Sequence, residues 1–195
     1  TAYCFSQLKQ GTYLIRLKNH YTSEDYWNLP EGERAELIDG KFYDMAPPSR
    51  IHQEISGQIY KIITNYIDAH CGSCKVYAAP FAVNLDADNK DWVEPDVSVI
   101  CDSNKLTDRG CSGAPDLIFE IVSPSSRKMD YSIKNKIYSQ AGVREYWIID
   151  PAKGKVVVYY YDRDSDPCLY SFNSDIPVGI YPGLMIKIND LLENY

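Results

Sequence analysis

The hydrophobic and polar positions of this chain change period several times, and each change marks an element. From residue 50 to 70, Ile51, Ile55, Ile59, Ile62, Ile63, Tyr66 and Ile67 recur at helical spacing. That stripe predicts the longest helix of the chain, capped at Ser49 and buried along one side. Shorter runs are apolar or alternate with a period of two, and they are rich in β-branched residues. They are KVYAAPFAVNL at 75–85, VSVI at 97–100, LIFEIV at 117–122, REYWIID at 144–150 and KVVVYYYD at 155–162. These read as strands, the last two as a hairpin. AELIDGKFYDM at 35–45 reads as another hairpin, with Asp39-Gly40 in a type I′ turn. Thr22 or Ser23 caps a short helix that stops near Pro30. Ser123-Pro124 breaks the strand before it, Ser125 or Ser126 starts a helix, and Gly142 ends it. TYLIRLK at 12–18 reads as an added edge strand, and LYSF at 169–172 and LMIKI at 184–188 as late strands.

From residue 49 onward the order is helix, strand, strand, strand, helix, strand. That order predicts an α/β mixed sheet flanked by helices, with additional β-hairpins at both ends. The chain has 195 residues, enough for one sizeable core. It reads as a single domain over 1–195, with the core at about 49–150 and β extensions over 1–48 and 151–195. Pro80 puts its strand at an edge or a bulge. The loop 101–114 is rich in Gly and Asp and is expected to be mobile. No apolar run is long enough to span a membrane, and the N-terminus shows no signal-peptide pattern.

Composition narrows the picture. The formal net charge is −7, which counts against a large non-specific nucleic-acid surface. Local contacts remain open, because Arg127, Lys128, Lys134 and Lys136 cluster just after Glu120; the alternative is a solvated helix face. Six cysteines, at 4, 71, 74, 101, 111 and 168, lack the density of a disulfide framework, and the expected location is a reducing cytoplasm. Cys71-Gly-Ser-Cys74 has neither a second pair to complete a zinc site nor a strand directly before it, so Gly72 reads as a helix stop. Tyr159, Tyr160 and Tyr161 could stack bases, but a subunit interface is the preferred reading. There is no Gly-rich phosphate loop, no G-x-S-x-G elbow and no HExxH helix.

Two acids stand out in apolar strands, Asp96 and Glu120. A carboxylate there is costly to desolvate unless it is paired or binds a metal. Alternation places Ile118, Glu120 and Val122 on one face and Leu117, Phe119 and Ile121 on the other. If the two strands are neighbours, Asp96 and Glu120 converge, and hard oxygens of this kind suit Mg²⁺. Asp116 is a poorer partner for Glu120, since four residues of strand separate them by ~13 Å at ~3.3 Å each. The competing possibility is that Pro95-Asp96 merely opens a strand and Glu120 pairs with a buried lysine or arginine. On the following helix, Asp130, Lys134 and Tyr138 share one face.

Pro95-Asp96 followed by Glu120 on the next strand resembles the PD-(D/E)xK nuclease core. The wider pattern resembles the Uma-two family of restriction-endonuclease-like proteins. It is carried by ELIDG at 36–40, His52, Pro95-Asp96, PDLIFEIVSPSS at 115–126, Asp130, Lys134, Tyr138 and GVREYWIID at 142–150. The resemblance covers roughly Tyr21 to Tyr161. It implies a restriction-endonuclease-like fold and a metal-dependent endonuclease hydrolysing phosphodiester bonds in DNA, working as a homodimer with Mg²⁺ or Mn²⁺. Asp96 and Glu120 would hold the ion with the carbonyl of Ile121, and Lys134 would stabilise developing charge or position the attacking water. The general pattern puts lysine two residues after the glutamate, where this chain has Val122, so the resemblance implies that Lys134 is a relocated lysine. Glu36 is a third acid at the metal or an exposed strand acid. His52 would position phosphate or water, or orient Glu36. The alternatives are a catalytically inactive nuclease-like module that binds nucleic acid, and a dimeric interaction scaffold.

Overall fold

The computed structural model describes residues 20–87 and 90–192; the strand expected at 12–18 lies outside them. Thr22 and Asp25 close a reciprocal capping box that starts α1 (Ser23–Trp27). β1 (Ala35–Ile38) and β2 (Lys41–Asp44) form the expected hairpin. Asp39 and Gly40 both take positive φ, 48° and 69°, as the tight turn between them requires. Ser49 Oγ accepts from the His52 N–H and begins α2 (Arg50–Ala69). Its buried line is Ile55, Ile59, Ile63 and Ile67, each worth roughly 2 kcal/mol on leaving water. Ile51, expected in that stripe, is exposed in the first turn.

Strands β3 (Lys75–Ala78), β6 (Val97–Ile100), β9 (Leu117–Ile121), β10 (Glu145–Asp150), β11 (Lys155–Tyr160) and β12 (Cys168–Ser171) make one sheet, in the order β12-β11-β10-β9-β6-β3. It is mixed: β9 runs parallel to β10 and antiparallel to β6. A second sheet, β2-β1-β5-β4-β8-β7, adds β4 (Val83–Asn84), β5 (Trp92–Val93), β7 (Leu106–Thr107) and β8 (Gly110–Ser112). A small pair, β13 (Ile176–Pro177) and β14 (Met185–Ile186), precedes α4 (Ile188–Leu192).

Glu120 owes its direction to the alternation of β9. Leu117, Phe119 and Ile121 pack with the α2 isoleucines, while Ile118 and Val122 pack with Tyr138, Val83 and Val93. The mixed sheet is thus covered by α2 on one face, and on the other by the second sheet and the helix after β9. That helix begins at residues 127–128, passes through a π-helical stretch, Met129–Lys134, and continues as α3 (Asn135–Ala141). Gly142 stops it at φ 90°.

Several expectations are corrected. The run 75–85 is not one strand: β3 and β4 belong to different sheets, with Pro80 between them. The segment 101–114 is not a plain loop, since it carries a 3₁₀ turn and the β7–β8 hairpin, with Lys105 Nζ donating to the Ala114 carbonyl. The cysteines are not all reduced. β3 and β6 pair Lys75 with Ile100, which sets the flanking Cys74 and Cys101 opposite each other, and they form a disulfide. Cys71 is free and exposed. The tyrosine run, whose interface reading stands as an expectation, has Tyr160 buried with its hydroxyl on the Pro177 carbonyl and Tyr159 and Tyr161 half-buried, Tyr159 stacking between Tyr146 and Tyr161.

Candidate active site

Pro95 marks the point where the chain passes from one sheet to the other. Residues Trp92–Val93 belong to the second sheet and Val97–Ile100 to the mixed sheet. The β6–β9 register pairs Val97 with Phe119, so the next step places Asp96 across from Glu120. Asp96 Oδ2 accepts the Ile121 N–H at 2.7 Å and lies 3.0 Å from His52 Nε2. His52 stands in the first turn of α2, and its ring faces Asp96.

Glu120 is buried, and a single oxygen, Oε1, receives both Lys134 Nζ at 2.8 Å and the Tyr138 hydroxyl at 2.7 Å. Lys134, the lysine to which the resemblance pointed, is buried and points into the protein. It is also the buried cation of the competing possibility, so both descriptions of Glu120 meet in one side chain. Lys134 Nζ lies 2.9 Å from Glu36 Oε1 and 3.9 Å from Asp130 Oδ1. Glu36 is therefore neither exposed nor idle: it is 4 % exposed and also accepts the Glu94 N–H. Asp116, set aside on spacing, is occupied elsewhere, accepting the Cys101 N–H and facing Arg144.

Asp96, Glu120, Lys134, Glu36, His52 and Asp130 line one cleft of about 700 Å³ between the two sheets, the first turn of α2 and the π-helical stretch. Its electrostatics are lopsided. Burial pushes Glu120 well above the usual carboxylate range, more than the nearby Lys134 pulls it down, and Asp96, Asp130 and Glu36 push the same way. Burial also raises Asp130, to about 6, against the pull of Lys134 and of the Ser126 hydroxyl. Desolvation pulls Lys134 down, but Glu120, Glu36 and Asp130 together outweigh it and hold its ammonium charged. Tyr138, buried beside Glu120, is held far above the usual phenol range and serves as a donor.

Asp96, Glu120 and the Ile121 carbonyl are the groups that could hold a small divalent cation. Asp96 spends Oδ2 on Ile121 and His52, and Glu120 spends Oε1 on Lys134 and Tyr138, so among the described residues each carboxylate keeps a second oxygen to offer. Two carboxylates and a backbone carbonyl suit Mg²⁺, which keeps waters and takes the rest of its shell from phosphate. Among the described residues no group of three His, Cys, Asp or Glu side chains gathers as a ready-made metal cluster. The structure joins Ile121 to Asp96 through its N–H.

Two participants, Asp130 and Glu94, were given no role from the sequence. Asp130 carries a buried oxygen, Oδ1, without a hydrogen-bond partner, aimed at the lysine. Its four-residue step from Lys134 was the available signal. Glu94 accepts from Tyr26 at 3.0 Å and pairs with Arg34 at 2.5 Å at the far end of the cleft; a glutamate before proline carries no signal of its own.

An uncharacterised Synechocystis protein, slr1290, is 24% identical over 154 residues, covering 77% of this chain and 80% of that protein. A crystal structure from Anabaena variabilis, described as "a putative nuclease belonging to DUF820", superposes with a TM-score of 0.72 at 22% identity. It covers 88% of this chain and 97% of its own, a likeness of fold. A family model matches residues 23–178, a span holding every side chain of the cleft described above. The chain belongs to that family, Uma2, whose description is "Putative restriction endonuclease".

Proposed function

We propose that the chain is a metal-dependent endonuclease that hydrolyses phosphodiester bonds in DNA, with Asp96 and Glu120 as the carboxylates that hold Mg²⁺ or Mn²⁺ and the Ile121 carbonyl as a further ligand. The observation that carries this is Lys134: a charged ammonium fixed within 3 Å of Glu120, on a strand whose neighbour sets Asp96 opposite. When bound, the ion supplies positive charge to the phosphoryl oxygens and acidifies its water. The chain does the rest. The Ile121 N–H and His52 Nε2 fix the plane of the Asp96 carboxylate. Tyr138 and Lys134 fix Glu120. Glu36 holds Lys134 from the opposite sheet, so the ammonium is already in place to meet negative charge developing on the phosphate, without reorganisation.

Cleavage of a labelled DNA duplex, with and without Mg²⁺ or Mn²⁺, tests the assignment. Asp96→Asn and Glu120→Gln should each lose on the order of a hundredfold or more in rate, and both should lose heat of Mn²⁺ binding in calorimetry. Cleavage by Asp96→Asn at the wild-type rate overturns the metal assignment.

One observation favours a second reading. Val122, in the position where the general pattern has lysine, is buried in the apolar core, as an inactive binding module would allow. That reading expects nucleic acid bound with no Mn²⁺ heat and no cleavage. The homodimer is likewise a proposal. The edge strand β12 exposes Leu169, and Met185 is also exposed; light scattering in solution decides the oligomeric state.

A further inference from the structure

The cleft is acidic, yet its proposed substrate is a polyanion. Its two cations nearest the acids, Lys134 and Arg34, are both tied to carboxylates. Charge to hold a nucleic-acid backbone must come from beside the cleft. Pro124 and Ser125 form a rim shared by the cleft and a neighbouring hollow of about 560 Å³. Arg127, Lys128, Tyr131, Ser132 and Lys153 line the rest of that hollow, and among the described residues no carboxylate lines it, in a chain whose net charge is −7. Arg127 is engaged with the buried Asp150. Lys128 and Lys153 are exposed, one from the lysine helix and one from the turn between β10 and β11. Lys153 Nζ stands 6.0 Å from the centre of the Tyr131 ring. That ring is held at its tip by Asp150, at 3.3 Å, and by its place in the apolar cluster behind it.

A fixed aromatic face beside two exposed ammonium groups matches one nucleotide: ring for base or sugar, lysines for the flanking phosphates. We infer that this hollow is a strand-binding subsite, in which Lys128 and Lys153 hold the backbone next to the bond in the cleft and Tyr131 supports the nucleotide between them. The subsite rests on the nuclease reading above and extends it to residues outside the metal site.

The test is binding of a fluorescent oligonucleotide by anisotropy. Ca²⁺ replaces Mg²⁺, as an oxygen-liganded ion of the same charge. Salt is varied from about 50 to about 200 mM. Wild type is compared with Lys128→Gln/Lys153→Gln and with Lys61→Gln, an exposed lysine on α2 far along the helix from the cleft. The double variant should bind on the order of tenfold more weakly or worse. The slope of log affinity against log salt should fall by about 1.4 for a single strand or about 1.8 for a duplex, the value for two lost phosphate contacts. Lys61→Gln should match wild type. If wild type binds and the double variant binds with the same affinity and slope, the subsite is wrong and the nuclease reading stands. If wild type binds no oligonucleotide at any of these salts, both fall. Equal weakening in Lys61→Gln would reduce the effect to net charge and overturn the subsite.

Discussion

Asp130 offers a direct measure of how much stability the cleft gives up. Its carboxyl is 1 % exposed and burial lifts it from an ordinary 3.8 to about 6. The folded protein therefore binds this proton more tightly than the unfolded chain does. The associated stability is fully present below 3.8 and is lost as pH rises through about 6. At roughly 1.4 kcal/mol per tenfold change in proton affinity, the loss is about 3 kcal/mol. Asp130→Asn mimics the protonated form, and its carbonyl oxygen can still accept from Ser126. The variant should match wild type near pH 4 and be more stable by up to about 3 kcal/mol near pH 7.5. For a chain of this size that is roughly 6–12 °C in Tm. Urea unfolding of both proteins at several pH values gives the difference directly. A stability difference that stays flat between those pH values would refute the idea that Asp130 is ionised at a cost in the folded state.

Two further substitutions test the frame around the site. Glu145 is buried and accepts from Trp147 Nε1 and from the N–H groups of Gly179 and Ile180. Glu145→Ala should cost at least about 3 kcal/mol in urea unfolding, since it strands three donors, whereas Glu145→Gln should retain much of that. At Gly142 a Cβ would meet nothing within 4 Å, so only the left-handed backbone opposes it. Gly142→Ala should lower stability by about 1 kcal/mol in thermal melts, with secondary structure unchanged by circular dichroism.

Much of this was legible because local rules and tertiary structure agree. β9 is buried on both faces, and strand alternation correctly put Glu120 and Phe119 on opposite sides, which the structure sets against the helix of Lys134 and against α2. Asp39-Gly40 and Gly142 sit where only permissive residues allow a positive φ. Once β6 and β9 were taken as neighbours, the opposition of Asp96 and Glu120 followed. The failures have a common cause. The apolar run 75–85 looks continuous because a strand that changes sheets keeps its hydrophobicity, and only pairing shows the break at Pro80. The Cys74–Cys101 bond depends on register between strands more than twenty residues apart. Likewise, Glu36 could be given a partner only when β1 was seen facing the lysine helix. The four-residue step from Asp130 to Lys134 was visible, but not the widening of that helical stretch into π geometry, a local change often found at functional sites.

Lys134 touches both walls of the cleft, Glu36 on the second sheet and Glu120 on the mixed sheet. It is a mechanical pin as well as a charge. Cutting it back to alanine would remove the ammonium and, in the same stroke, leave two like-charged panels facing each other with nothing between them. Inactivity in that variant would report a sprung hinge and a missing reagent together. A methionine there, equal in reach and without charge, combined with glutamine at Glu36, keeps the panels from repelling and so isolates the chemical contribution.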